Sequence, residues 1–284
     1  MKLLMDILGF FACGGIGLAG GYLLRMAQET KKEEPANEDI EDCENIKYNE
    51  DSLFRNLEKS NEKLGFIFGA PGAGNGYIYK NEIFEAFVGT NDVIFTIDES
   101  DSKTVVKKLG GISLNESEVE AELERANNYK LINFNIHKYD TQIMETVLEY
   151  INKRAKNEPT TILIRYFNGI ASNPVLFAKF KDLFEQNNVS AIIEDSDFED
   201  LYENKDFVEF MNKSKNFILL SQPPMARKSL KEKFEISDEL LENISCVEPG
   251  KGLIIHDGII EKYHVKTDTT SPLYLLYTTR PDEI

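Results

Sequence analysis

The chain has 284 residues, room for one full α/β domain plus an appendage. Its formal charge is -17 while 42% of its residues are hydrophobic, which describes an acidic body that repels nucleic acid. No local basic patch reverses that, so no direct nucleic-acid contact is expected. Cys13, Cys43 and Cys246 form no C-x-x-C pair or disulfide framework, which suits a reducing compartment. His137, His256 and His264 are scattered without a metal-ligand spacing, and no metal centre is expected.

Residues 7–24, ILGFFACGGIGLAGGYLL, are an uncharged apolar run which, as a helix, is about as long as a hydrocarbon core is thick. They predict a single transmembrane helix within an anchor at 1–27. Gly17 and Gly21 have the small-xxx-small spacing that lets two such helices approach closely. Lys2 precedes the run while Arg25, Lys31 and Lys32 follow it, so the positive-inside rule places the C-terminal body in the cytoplasm, tethered to the cell membrane. The rival reading is a cleaved signal peptide, with Gly17-Leu18-Ala19 as a small-x-small site. Cys13 is a poor lipoprotein acceptor, because the apolar run continues well past it. Residues 28–51 are rich in Glu, Asp, Lys and Asn with little apolar periodicity, and predict a disordered acidic linker. The body then spans 52–284.

Residues 64–87, LGFIFGAPGAGNGYIYKNEIFEAF, read as strand (65–68), glycine turn (69–76) and helix (77–87). A phosphate-binding loop has the pattern G-x-x-x-x-G-K-[ST]. Its glycines turn backbone N–H groups toward a polyphosphate, its Lys neutralises the charge and its hydroxyl holds magnesium. Gly69, Pro71, Gly72 and Gly74 keep that turn, but Asn75 stands at the Lys position and Gly76 at the hydroxyl position. Lys80 lies about one helical turn further along and would have to reach back.

Beyond the turn, 92–98 is a buried strand of the parallel-sheet kind, and Asp98 and Glu99 at its end either border the ligand crevice or cap a helix at 102–109. A charged helical stretch at 116–128, a strand at 131–136 and an amphipathic helix at 141–155 follow. Residues 160–170, TTILIRYFNGI, predict a strand that ends in Asn168 and Gly169, where phosphoryl transfer needs an Asp for magnesium and a Glu for the attacking water. A helix at 175–186, a strand at 189–193, a helical stretch at 197–211 and a strand at 216–222 complete the alternation. Such a pattern defines an α/β fold: a three-layer, P-loop NTPase-like parallel sheet preceded by one transmembrane helix.

From residue 64 onward the chain resembles the ATPase domain of conjugal-transfer ATPases, the TraC/TraE-type energisers of type IV secretion, which are HerA/FtsK-like P-loop proteins. The resemblance is carried by GAPGAG with KNEIFEAFVGTNDVIFTID, by VVKKLGG (105–111), by SKNFILLSQ (214–222), and by Arg227 with Ile236-Ser237-Asp238. PGKGLII (249–255) with Gly258 and LYLLYTTRPDE (273–283) continue it in family order. Against the family pattern, Lys and Ser/Thr are replaced by Asn75 and Gly76, and Asp-Glu by Asn168 and Gly169. A Gln sensor is replaced by Asp195, and the arginine-bearing helix reads FAKFKDLFEQ (177–186). The family's helical insertion is largely missing, and a membrane span stands in place of most of its N-terminal domain.

The resemblance with its losses implies a pseudo-ATPase without catalytic residues, acting as a scaffold or accessory subunit of a conjugative secretion machine. Its expected partners are an active ATPase of the same family or inner-membrane channel subunits. One alternative is non-hydrolytic nucleotide binding, in which the turn holds ATP through backbone N–H groups without hydrolysis. The other is a divergent ATPase in which Lys80 and Asp98 or Glu99 compensate for the missing groups.

Overall fold

The computed structural model describes residues 52–99, 102–137, 139–186, 188–245, 248–265 and residue 277. The expected span at 7–24 and linker at 28–51 lie outside them. Among the described residues no helix is long and apolar enough to cross a membrane.

The body begins with α1 (Leu53–Ser60), whose N-cap Ser52 accepts the N–H of Arg55 and whose C-cap Asn61 takes a left-handed φ of 55°. Then come β1 (Leu64–Phe68), α2 (Asn75–Gly89), β2 (Val93–Asp98), α3 (Lys103–Lys108) and β3 (Ile112–Asn115). A 3₁₀ turn held by a capping box between Asn115 and Glu118 leads into α4 (Val119–Ala126), followed by β4 (Leu131–Asn135) and α5 (Thr141–Ala155). The chain continues through β5 (Thr160–Arg165), α6 (Asn168–Ala171), α7 (Pro174–Gln186), β6 (Val189–Asp195), α8 (Phe198–Glu203) and α9 (Lys205–Met211). Then come β7 (Asn216–Leu220), α10 (Pro224–Phe234), α11 (Asp238–Leu241), β8 (Lys251–His256) and β9 (Ile259–His264).

Among the described residues the strands form one nine-stranded sheet in the order β3-β4-β2-β5-β6-β1-β7-β8-β9. Pairing is parallel from β3 to β7 and antiparallel from β7 through β8 to β9. The central strands are buried along their whole length, as in sheets covered on both faces. Phe66, Phe68, Phe95, Ile162 and Ile193 share one apolar cluster with α5, α7, α8 and α9. Ile67, Ile94, Leu163 and Ile192, on the other face, share a second with α1, α2 and α3. Each cluster lies on one side of the sheet because successive side chains alternate across it.

The sheet is thus mixed rather than wholly parallel, and its antiparallel end is a hairpin turned by Asp257 and Gly258 at φ 47° and 82°. The strand expected over 160–170 stops at Arg165. Tyr166 takes φ 59°, and the N–H groups of Ile170 and Ala171 turn back onto Phe167, so Asn168 and Gly169 belong to a short helix and not to the strand end. The helical stretch expected over 197–211 is two helices, divided at Asn204, whose extended backbone breaks α8 and whose side chain accepts the N–H groups of Asp206 and Phe207 to start α9.

Candidate functional site

The glycine loop runs from the end of β1 into α2, which starts at Asn75, two residues earlier than its apolar pattern suggests. Gly72 and Gly74 adopt φ of 85° and 100°, conformations that a side chain disfavours. The loop is pinned at both ends. Gly69 N–H donates to Asp195 O at 3.3 Å, Ala70 N–H to Ser221 O at 2.7 Å, and Gly250 N–H to Ala73 O at 2.8 Å. Among the described residues the N–H groups of Gly72, Gly74, Asn75 and Gly76 have no hydrogen-bond partner. Four open donors at the start of a 15-residue helix make an anion-receptive end.

Beneath that end the sheet carries a buried charged network. Register pairs Ile67 of β1 with Glu194 of β6, and Glu194 with Arg165 of β5. Arg165 Nε donates to Glu194 Oε2 at 2.7 Å. The other carboxylate oxygen accepts from Asn75 Nδ2 at 2.7 Å, and the same amide nitrogen reaches Gly69 O at 2.6 Å. The side chains of Arg165 and Glu194 are 10% and 1% exposed, so the pair is screened from water. Burial pushes the Glu194 carboxyl up, against the pull of Arg165 and Asn75. The guanidinium lies 4.8 Å from the Tyr166 ring and 6.0 Å from that of Tyr79, whose hydroxyl donates to Leu163 O at 2.8 Å. Asn75 therefore does not point out toward a ligand. Its carboxamide is folded back over Gly69, where a Cβ would collide with it.

An open crevice of about 300 Å³ lies at the tips of β2, β5 and β6, lined by Glu99, Tyr139, Tyr166, Asn168, Asp195 and Asp197 among others. Asp195 is pushed up to about 7, mainly by burial. Its carboxylate accepts the N–H groups of Asn168 at 2.7 Å and Asp197 at 2.8 Å. Gly169 lies directly under the Tyr139 ring, and the Tyr139 hydroxyl donates to Arg165 O. Glu99 and Asp197, joined by Asp195 once the pH passes about 7, put negative charge around one opening and disfavour a polyphosphate. Among the described residues no group of three or more His, Cys, Asp or Glu is arranged to hold a metal ion.

Two of the three substitutes named from the sequence lie deeper than the crevice. Lys80 is 5% exposed, and its ammonium is lowered to about 8 by burial and by Arg165, with Asp98 opposing. Asp98 is fully buried and accepts from Asn133 Nδ2 at 3.1 Å and, weakly, from Ser102 N–H at 3.5 Å. That bond reaches Ser102, the N-cap residue of α3, and among the described residues no side chain caps the helix itself. Glu99 alone of this set lines the crevice.

Sequence reasoning missed Arg165 and Glu194. Each sits at the end of an apolar strand, where a charge ordinarily meets water, and they are 29 residues apart. The available signal was their parity. Arg165 alternates with Leu163 and Glu194 with Ile192, all on the face covered by α2.

A glycine loop between a central parallel strand and a helix, in a mostly parallel sheet covered on both faces, is an α/β arrangement like that of P-loop ATPases. Among solved structures, VirB4 of Thermoanaerobacter pseudethanolicus superposes with a TM-score of 0.60 at 12% identity, covering 75% of this chain and 91% of that one. The genome packaging NTPase B204 of Sulfolobus turreted icosahedral virus 2, solved with AMPPCP, gives 0.51 at 12% identity over 72% and 98% of the two chains. The fold is therefore VirB4-like. No family model matches the sequence, and no curated protein matches it.

Proposed function

We propose that this chain is a membrane-anchored pseudo-ATPase that serves as a scaffold or accessory subunit of a conjugative type IV secretion system. The observation that carries the reading is the end of β5. Arg165 stands there, paired at 2.7 Å with Glu194, which in turn holds Asn75. Phosphoryl transfer is positioning plus electrostatics, and needs a cation on the loop and an acid on the strand to hold magnesium. Here the strand carries the cation, the loop carries an amide, and a neighbouring carboxylate accepts from both. The VirB4-like fold supports the secretion-machine setting, and the apolar run at 7–24 supports the anchor. Its partners on this reading are an active ATPase of the same fold or inner-membrane channel subunits.

The open N–H groups of Gly72, Gly74, Asn75 and Gly76 favour a second reading, nucleotide binding without hydrolysis. Calorimetric titration of the detergent-purified protein with ATP and ADP, with and without magnesium, separates the two. The scaffold gives no heat at millimolar nucleotide and co-purifies with a partner. Heat without turnover supports the binder. Turnover that depends on magnesium and is abolished by Asp98→Ala refutes both.

A further inference from the structure

We propose that Glu82 joins the helix through which the chain enters the body to the helix that carries the glycine loop, so that a displacement of α1 is passed to the loop. Glu82 lies on α2, seven residues or about two turns beyond Asn75, and is fully buried. Its carboxylate accepts the N–H of Leu53 at 3.0 Å and of Phe54 at 2.7 Å. Those are the first two N–H groups of α1, which have no partner within their own helix. One side chain of α2 thus completes the start of α1, and a buried carboxylate without those donors would be costly.

Further contacts extend the seam. Arg55 Nε meets Glu85 Oε2 at 2.6 Å, one turn along the same face of α2. Leu53 fills the space over Gly65 of β1, where a Cβ would come within 2.9 Å of its side chain. Phe54 does the same at Gly89, the last residue of α2, at 3.3 Å. Hence α1 rests on both arms of the glycine loop, the strand that enters it and the helix that leaves it. Whatever holds or pulls the chain before residue 52 acts on those arms, whether or not the loop takes a nucleotide.

Hydrogen–deuterium exchange by mass spectrometry on the full-length protein in detergent tests this. Glu82→Gln keeps the shape but turns an NH₂ group against one of the two N–H donors. Exchange is expected to quicken about tenfold both at 53–57 and at the bonded amides of the loop, Gly69, Ala70, Ala73 and Tyr77, within 69–77, the scale of one lost buried hydrogen bond, while β5 and β6 keep their protection. Arg55→Ala, on a side chain 56% exposed, removes only the outer rung, and is expected to give the same selective pattern more weakly. Faster exchange at 53–57 with 69–77 unchanged overturns the proposal. So does a uniform increase throughout the body in both variants.

Discussion

Arg165→Met tests the buried network most directly. The guanidinium is the one cation in contact with Glu194 in the network described, and that carboxylate is 1% exposed. Deleting the guanidinium leaves the carboxylate with a single amide donor from Asn75. Breaking a buried ion pair by removing one partner costs about 3–5 kcal/mol, whereas replacing both with apolar groups is close to neutral. For a body of this size such a loss lowers Tm by roughly 6–20 °C. Arg165→Met should therefore be strongly destabilising, and Arg165→Met/Glu194→Leu should recover most of the loss. The penalty should also grow with pH. Without Arg165 the Glu194 carboxyl is held further above its ordinary 4.5, so it stays protonated at low pH and must ionise unpaired as the pH rises. Urea unfolding at about pH 5 and about pH 8, followed by circular dichroism because the chain has no tryptophan, reads all of this. A single variant within about 1 kcal/mol of wild type, or additive losses in the double variant, would refute the reasoning.

Gly74→Ala meets both a φ of 100° and a Cβ only 2.8 Å from Gly250 N, and should cost more in urea than Gly72→Ala, where the space is open. The latter should lose only the backbone strain of about 1 kcal/mol. Burial raises Glu82 from 4.5 to about 8, despite its two N–H donors, with Glu85 raising it further and Arg55 opposing; Asp195 rises from 3.8 to about 7. Both folded values exceed the unfolded ones, so their stabilisation is complete below the unfolded values and is lost as the pH rises through the folded ones. The urea midpoint should fall between about pH 5 and about pH 8, and Glu82→Gln/Asp195→Asn should flatten that slope. Asn75→Lys/Gly76→Ser places a cation and a hydroxyl on the loop while Arg165 stays paired with Glu194, and should bind ATP with magnesium more tightly than wild type in the same titration. An unchanged titration would mean that these positions do not set binding.

Much of the fold was legible because its parallel strands are long apolar runs. β1, β2, β4, β6 and β7 stand within two residues of their expected bounds. β3 escaped notice because ISLN is four residues of alternating burial, and α1 because its eight residues follow directly on an acidic stretch. The overrun of β5 came from reading RYFNGI as strand residues, where a left-handed Tyr166 turns the chain instead. Asp257-Gly258 was a hairpin signal in plain view, and it joins β8 to β9, the second of the two antiparallel pairings at that end of the sheet. The glycine loop was read from its spacing alone. The partners of Arg165 and Glu194 were not, since strand pairing decides which charges meet and local pattern carries no such information.

The hydrogen bond from Gly250 to Ala73 sets an order of assembly. The glycine loop lies near the start of the body, yet one of its carbonyls is held by the residue just before the β8–β9 hairpin, and Val265 N–H then locks onto Gly250 O at 2.9 Å. During synthesis the loop can be drafted early but closed only after the chain has emerged past residue 265. Contacts of such long sequence separation form late and slowly. A ribosome that stalls or a truncation that removes the hairpin would therefore leave most of the sheet built and the loop unfinished.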